Sequence, residues 1–446
     1  MNPTAPFALR GILVDTEPAP SDAGQPQLRV VSDGALVIEA GRIAAAGDAA
    51  TVLRGDRADL PIRDYSGYLL LPGLVDSHSH YPQTDIIASY GSRLLEWLQH
   101  YTFPAEARFA DPAVARETAA FFLTELFRNG TTTANVLATT HAHSADAIFE
   151  AARASGMRLI AGKVMMDRNC PETIRDTAES GYRESRELLE RWHGVDRLRY
   201  AITPRFAPTS SEAQLTATGR LVREFPDAYL HTHLAENPGE VAWVAELFPW
   251  SSDYLAVYDH YGLVRQRSLF AHCIHLSDAD RQRMAETGAA TLFCPTANTF
   301  LGSGLIDYAR TREQGVRVGL GTDVGAGTSF NMLRTAGEAY KVSCLNGTPL
   351  AAASLLHLVT RGGAEALDLH DCIGALESGM EADIIAIDPG ATALTARRTG
   401  HATVAETVFA LCMLGDDRHV STTWVAGEVV HERPGCPTMR SQEGRP

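Results

Sequence analysis

Leu69-Leu70-Leu71-Pro72-Gly73-Leu74-Val75-Asp76-Ser77-His78-Ser79-His80 is the stretch on which the fold turns. Residues 69–75 form an apolar run of strand type. An open, doubly wound sheet would normally follow such a first strand with a glycine-rich phosphate loop, whereas here the run ends in Asp-Ser-His-Ser-His. Seven further apolar runs follow at 131–137, 159–166, 198–206, 229–234, 269–276, 290–295 and 316–322. Near-continuous apolar strands separated by helical stretches mark a parallel sheet covered on both faces. Eight such units predict a (β/α)8 barrel.

The intervening helices carry boundary signals. Asp111-Pro112 opens one as cap and first-turn proline and Asn129-Gly130 closes it, while Ser144 opens the next and Gly156 closes that. Outside the barrel, both ends of the chain read as β-rich. Near the N-terminus, Glu39-Ala40-Gly41 makes a hairpin turn between residues 35–38 and 42–46. Near the C-terminus, 382–387, 408–411 and a hairpin over 421–430 turning at Ala426-Gly427 have the same character. The expected division is 1–68 for the N-terminal part of a β-sandwich, 69–374 for the barrel, and 375–446 for the C-terminal part of the sandwich and a tail.

Composition limits the function classes. The 446 residues are 45% hydrophobic and 21% charged, enough to bury roughly 75% of the unfolded surface. A net charge of −15 repels nucleic-acid backbones and anionic lipid, and no basic patch offsets it. The seven cysteines are scattered without a CxxC pair, which argues for reduced thiols and against a disulfide framework. Residues 1–15 lack an export-signal pattern and no 18 apolar residues run together, so the expectation is a cytoplasmic protein with neither membrane nor nucleic-acid partners.

Barrel active sites lie at the C-terminal ends of the strands. Strand one ends in His78 and His80, five in His231, His233 and Glu236, six in His272 and His275, and eight in Asp323. A spacing of two on an extended strand turns His78 and His80 to one side. Three imidazoles and a carboxylate arriving at one rim have the ligand chemistry of a catalytic metal. Period two allows either His231 or His233 inward; the offset to Glu236 favours His233 and leaves His231 behind it. His141 and His143 read as a solvated loop before a helix, and His275 as a loop residue. Zinc suits the histidine-rich shell, with iron as the alternative.

Such a metal makes hydroxide available near neutral pH. In that setting Asp323 would ligate the metal and accept the water's proton, Glu236 would carry a proton to a ring nitrogen, and His272 would hold the nucleophile or the developing charge. The reaction is hydrolytic displacement at an sp2 carbon.

The run from Leu71 to His80, with Gly321-Thr322-Asp323, resembles the amidohydrolase superfamily. Further segments are similar to its guanine deaminase branch: Leu95-Glu96-Trp97-Leu98, Tyr101-Thr102-Phe103-Pro104-Ala105-Glu106, Gly130-Thr131-Thr132-Thr133-Ala134, Thr203-Pro204-Arg205-Phe206, Val257-Tyr258-Asp259 and Leu414-Gly415-Asp416-Asp417-Arg418. The likeness spans about residues 65–430. It implies metal ligation by His78, His80, His233 and Asp323, proton transfer by Glu236, and a catalytic or ligating role for His272. It also implies that Gln83, Trp97, Arg205 and Phe206 hold a purine base, that guanine becomes xanthine and ammonia in purine catabolism or salvage, and that the chain ends join as a composite sandwich.

A homodimer is the expected assembly. Dinuclear relatives bridge their metals with a lysine on strand four, but the only lysines here are Lys163 and Lys341. One divalent metal per subunit follows. Two features depart from the pattern: His231 stands beside the strand-five ligand, and small polar residues occupy Cys294-Pro295-Thr296-Ala297-Asn298-Thr299 after strand seven. The competing readings are a sister enzyme acting on 8-oxoguanine, adenosine-type, cytosine or triazine and amidine substrates, and a non-catalytic scaffold.

Overall fold

Backbone hydrogen bonds sort the strands into two sheets. The computed structural model describes residues 5–17, 25–91 and 93–440; residues 1–4 of the N-terminal stretch read above lie outside them. The first sheet is the barrel. Its strands are β1 (Leu74–His80), β2 (Thr131–Leu137), β3 (Arg158–Gly162), β4 (Leu198–Pro204), β5 (Tyr229–Leu234), β6 (Ser268–His272), β7 (Ala290–Phe293) and β8 (Arg317–Leu320). They pair in parallel in that order, and every residue of β1, β2 and β3 is buried, as strands covered on both faces require.

Closure is made between β1 and the chain just after β8. The Asp323 N–H donates to the His78 carbonyl at 2.8 Å and the His80 N–H to the Val324 carbonyl at 2.7 Å. Asp76 reinforces the seam by accepting the Thr322 N–H at 2.9 Å and the Thr322 hydroxyl. A Cβ on Gly321 would lie 2.7 Å from the His78 Cβ, so glycine is what lets the two strands meet. The same contacts that shut the barrel therefore bring Asp323 beside His78.

The second sheet joins both chain ends. Phe7–Thr16, Leu28–Glu39, Arg42–Asp48 and Ile62–Pro72 come from the N-terminal side, and Ile384–Ile387, Val420–Val425, Glu428–Glu432 and Met439–Arg440 from the C-terminal side. Phe7, Leu9, Leu36, Tyr65, Leu70, Ile384 and Trp424 share one apolar cluster, so strands from both ends fold around a common interior. Both expected hairpins form, with Ala40 and Gly41 at φ 48° and 76° and Ala426 and Gly427 at 47° and 78°, the left-handed pairs that two-residue turns require.

Three local expectations change. The run 69–75 is divided: Leu69–Pro72 pairs with Ile384–Ile387 in the second sheet, and the barrel strand begins only at Leu74. Pro72-Gly73 makes the break. Residues 408–411 lie in the helix Val404–Leu414, not in a strand, because Thr403 and Glu406 form a capping box that starts a helix there. The helix expected to open at Ser144 starts at Ala142, and Ser144 instead accepts the Thr139 N–H. The other caps hold: Asp111 accepts from the Ala113 N–H, and Gly156 closes its helix at φ 70°. No helix among the described residues is long and apolar enough to cross a membrane.

Candidate active site

At the C-terminal rim of the barrel, His80, Gln83, Leu94, Trp97, Leu98, Arg205, Phe206, His233, Glu236, His272, Asp323 and Ala326 line one cavity. On one wall the side chains converge. The ring nitrogens of His78, His80 and His233 lie within 4.8 Å of one another, as do those of His78 and His272 with an Asp323 oxygen. Asp323 Oδ1 is 3.3 Å from His78 Nε2 and 3.5 Å from His80 Nε2, and the Nε2 atoms of His80 and His233 are 3.2 Å apart. Ala235 just after β5, His272 at the end of β6 and Asp323 shortly after β8 all adopt positive φ. Such backbone is costly for non-glycine residues and is typical of functional rims.

Hydrogen bonds fix which nitrogen each ring presents. His233 Nδ1–H donates to the Arg205 carbonyl at 2.7 Å, so its Nε2 carries a lone pair. His78 Nδ1 and His231 Nε2 lie 2.7 Å apart, and His78 Nε2, fully buried, has no hydrogen-bond partner. Burial, reinforced by neighbouring charge, holds His78, His80 and His233 well below the usual histidine range, hence neutral. Lone pairs facing a carboxylate oxygen repel unless a cation lies between them. The donor set fits a divalent metal ligated by His78, His80, His233 and Asp323. His231 stands behind His78, away from this convergence, as the strand-five offset implies.

The groups beside the cluster are also held. Glu236 is fully buried; burial and then the Asp323 charge push its carboxyl up to about 8. Ser303 donates to Glu236 Oε1 at 3.0 Å, and His275 Nε2–H donates to the Ser303 carbonyl at 2.9 Å. His272 Nδ1–H donates to Asn298 Oδ1 at 2.8 Å, which turns Nε2 towards Glu236 Oε2 at 3.3 Å and Asp323 Oδ2 at 3.9 Å. His141 and His143 stack on each other outside the cavity, and His143 Nε2 bonds the Phe109 carbonyl.

The model of the amidohydrolase family matches residues 69–430. The chain belongs to the amidohydrolase family. This amidohydrolase is 47% identical over 430 residues to the guanine deaminase of Escherichia coli K12, covering 96% of this chain and 98% of that one. The solved structure of E. coli guanine deaminase superposes with a TM-score of 0.92 and covers 96% of this chain and 100% of that chain. A guanine deaminase structure from C. acetobutylicum with bound guanine in the active site is 26% identical at a TM-score of 0.88, with 96% and 100% coverage.

All ten residues singled out from the sequence gather around this rim, with His78 behind the cavity wall that the other nine line. Sequence reasoning left Glu106, Asn298, Ser303 and Glu240 without roles. Glu106 is fully buried and bonds Arg205 at 2.8 Å; the signal for it was the need of any buried guanidinium for a counter-charge. Glu240 accepts the Glu236 N–H at 2.9 Å and the Tyr254 hydroxyl at 2.7 Å, bracing the turn that carries Glu236.

Proposed function

We propose that this amidohydrolase hydrolyses guanine to xanthine and ammonia, with His78, His80, His233 and Asp323 holding one divalent metal, zinc in preference to iron. When bound, the metal supplies Lewis acidity and a nucleophilic hydroxide at neutral pH. The chain's own residues supply the rest. Asp323 takes the proton released from water. Glu236, kept protonated by burial and by the Asp323 charge, donates to the ring nitrogen next to C2, which makes that carbon the electrophile. His272, held by Asn298, steadies the attacking oxygen and the charge that develops on it.

One observation carries the substrate reading. Arg205, Gln83 and the aromatic rings of Trp97 and Phe206 line the same cavity as Glu236, His272 and Asp323, and all four are almost wholly buried. Guanine has one planar ring system for the aromatic faces and one edge, O6 with N7, that accepts hydrogen bonds side by side. The guanine bound in the C. acetobutylicum relative's active site supports the same reading.

A purine base is thus the small-molecule partner, and a cytoplasmic homodimer completes the proposal. Ammonia release from guanine, adenine, cytosine and 8-oxoguanine by metal-loaded protein tests it. Turnover of guanine is expected to exceed the others by orders of magnitude; equal use of any of them defeats the substrate, and metal analysis with size exclusion checks cofactor and assembly.

A further inference from the structure

Two contacts expected to hold the base, Arg205 and Gln83, converge on one carboxylate, that of Glu106. Glu106 lies on the short helix Phe103–Ala107 and is 0% exposed. Arg205 Nη1 donates to its Oε1 at 2.9 Å and to its Oε2 at 2.8 Å, and Gln83 Nε2 donates to Oε1 at 3.1 Å. One turn earlier on the same helix, the Phe103 ring lies 5.7 Å below the Arg205 guanidinium carbon. The guanidinium is therefore held by its face and by one corner.

The consequence is a fixed pattern of donors. Arg205 meets Glu106 through Nη1, which leaves Nε and Nη2 uncommitted to this pair, and Arg205 lines the cavity. Because an ionised carboxylate only accepts, Glu106 dictates that the Gln83 NH2 group, not its oxygen, faces that side. The amide oxygen is turned to the Gly325 N–H at 3.4 Å. Each side chain then offers N–H groups. The Arg205 charge is balanced within the pair, so the edge attracts neutral acceptors and not anions as such.

We propose that Glu106 is the positioning residue for substrate selection: it aligns Arg205 and Gln83 into an all-donor edge that accepts a purine presenting two acceptors and rejects one presenting an amine. This rests on the guanine reading. Guanine offers O6 and N7, whereas adenine sets its N6 amine where O6 would be, donor against donor. A site built this way discriminates strongly, since the wrong base leaves buried N–H groups unpaired.

The test uses metal-loaded full-length protein and its Glu106→Gln variant. Steady-state kinetics with guanine are compared with inhibition by 2-aminopurine, which keeps N7 and the 2-amino group and lacks O6. The variant is expected to raise KM for guanine about 10- to 100-fold with kcat within about threefold, because binding is lost and the metal wall is untouched. The Ki of 2-aminopurine should rise no more than about threefold. Equal penalties on both ligands, or none on either, overturn the assignment and leave Glu106 a fold residue. Should Glu106→Gln not fold, Glu106→Asp is read the same way, since it keeps the charge but withdraws it by one methylene. Wild-type protein that fails to turn over guanine defeats the substrate reading alone, before any variant is compared.

Discussion

His231 Nε2 lies 2.7 Å from Nδ1 of His78, and both rings are wholly buried. With a metal on Nε2, His78 carries its proton on Nδ1 and donates it backwards to His231 across this contact. Outer partners of this kind orient metal-binding histidines and typically contribute 10- to 100-fold in affinity. His231→Phe is therefore expected to weaken metal binding by about that factor. Titration of the metal against a chelator, by competition, reads it directly. Unchanged affinity would show that His231 only fills space.

Glu236→Gln separates proton transfer from metal binding. The amide keeps the shape and can still meet Ser303, but it cannot deliver a proton. Metal content per subunit should stay at the wild-type level while kcat/KM for guanine falls by about 10²- to 10⁴-fold. Retention of wild-type rates would move the acid to another residue.

Removing the metal should expose a characteristic pH dependence of stability. Burial, and then the Asp323 charge, pushes Glu236 up to about 8; burial likewise takes Glu240 and Asp76 up to about 7. Their folded values exceed their unfolded ones, so they stabilise the fold while protonated and that contribution is lost as pH rises through 7 to 8. The histidines oppose this below about pH 7. His78, His80, His231 and His233 sit well below 6.5, chiefly through burial, so their contribution is present above 6.5 and lost as pH falls. Unfolded histidines are about half protonated at 6.5 and mostly neutral above about 7, so from there to pH 8 the carboxylates set the trend. Chelator-stripped protein is thus expected to lose Tm across that window, and metal addition to raise Tm throughout it, since the histidine ligands are already neutral there. A stripped-protein Tm that is flat from about pH 7 to 8 counts against this account.

The site's ligands were legible because each ends a strand, and strand ends of a barrel share one rim. His78 and His80 follow from a period of two, and Asp323 from the last apolar run. The choice between His231 and His233 was not settled by period, since both fit; the structure separates them by what each ring meets, the cluster in front and a backbone carbonyl behind for His233, and the ring of His78 for His231. Glu106 was beyond the sequence because it meets Arg205 across 99 residues of chain and comes from a loop helix with no strand register. Residues 408–411 misled because four apolar residues have no readable period, whereas Thr403 and Glu406, just upstream, carried the helix signal. The 69–75 run misled for the opposite reason: one continuous apolar stretch serves two sheets, and only Pro72-Gly73 marks the handover.

The junction between the two sheets gives the last prediction. Glu381, on the C-terminal segment, accepts Arg158 Nε at 2.9 Å and Arg197 Nη2 at 2.6 Å, and Arg197 also reaches Asp383 at 2.6 Å. Burial pushes the Glu381 carboxyl up, but the Arg158 hydrogen bond and the charges of Arg197 and Arg158 outweigh it, and the net direction is down. A depressed carboxylate contributes stability above its ordinary range and loses it as pH falls below. Glu381→Gln would leave two largely buried guanidiniums with a single carboxylate, at a cost of about 3–5 kcal/mol. Arg158 opens β3 at the end of the barrel opposite the metal wall, so kcat/KM for guanine at low temperature should stay within about twofold. Urea denaturation of the two proteins at pH 7 and pH 4 checks both points. The variant should unfold at markedly lower urea at pH 7 and lose less than wild type on acidification; matching midpoints at pH 7 would mean that this ion cluster does not hold the sheets together.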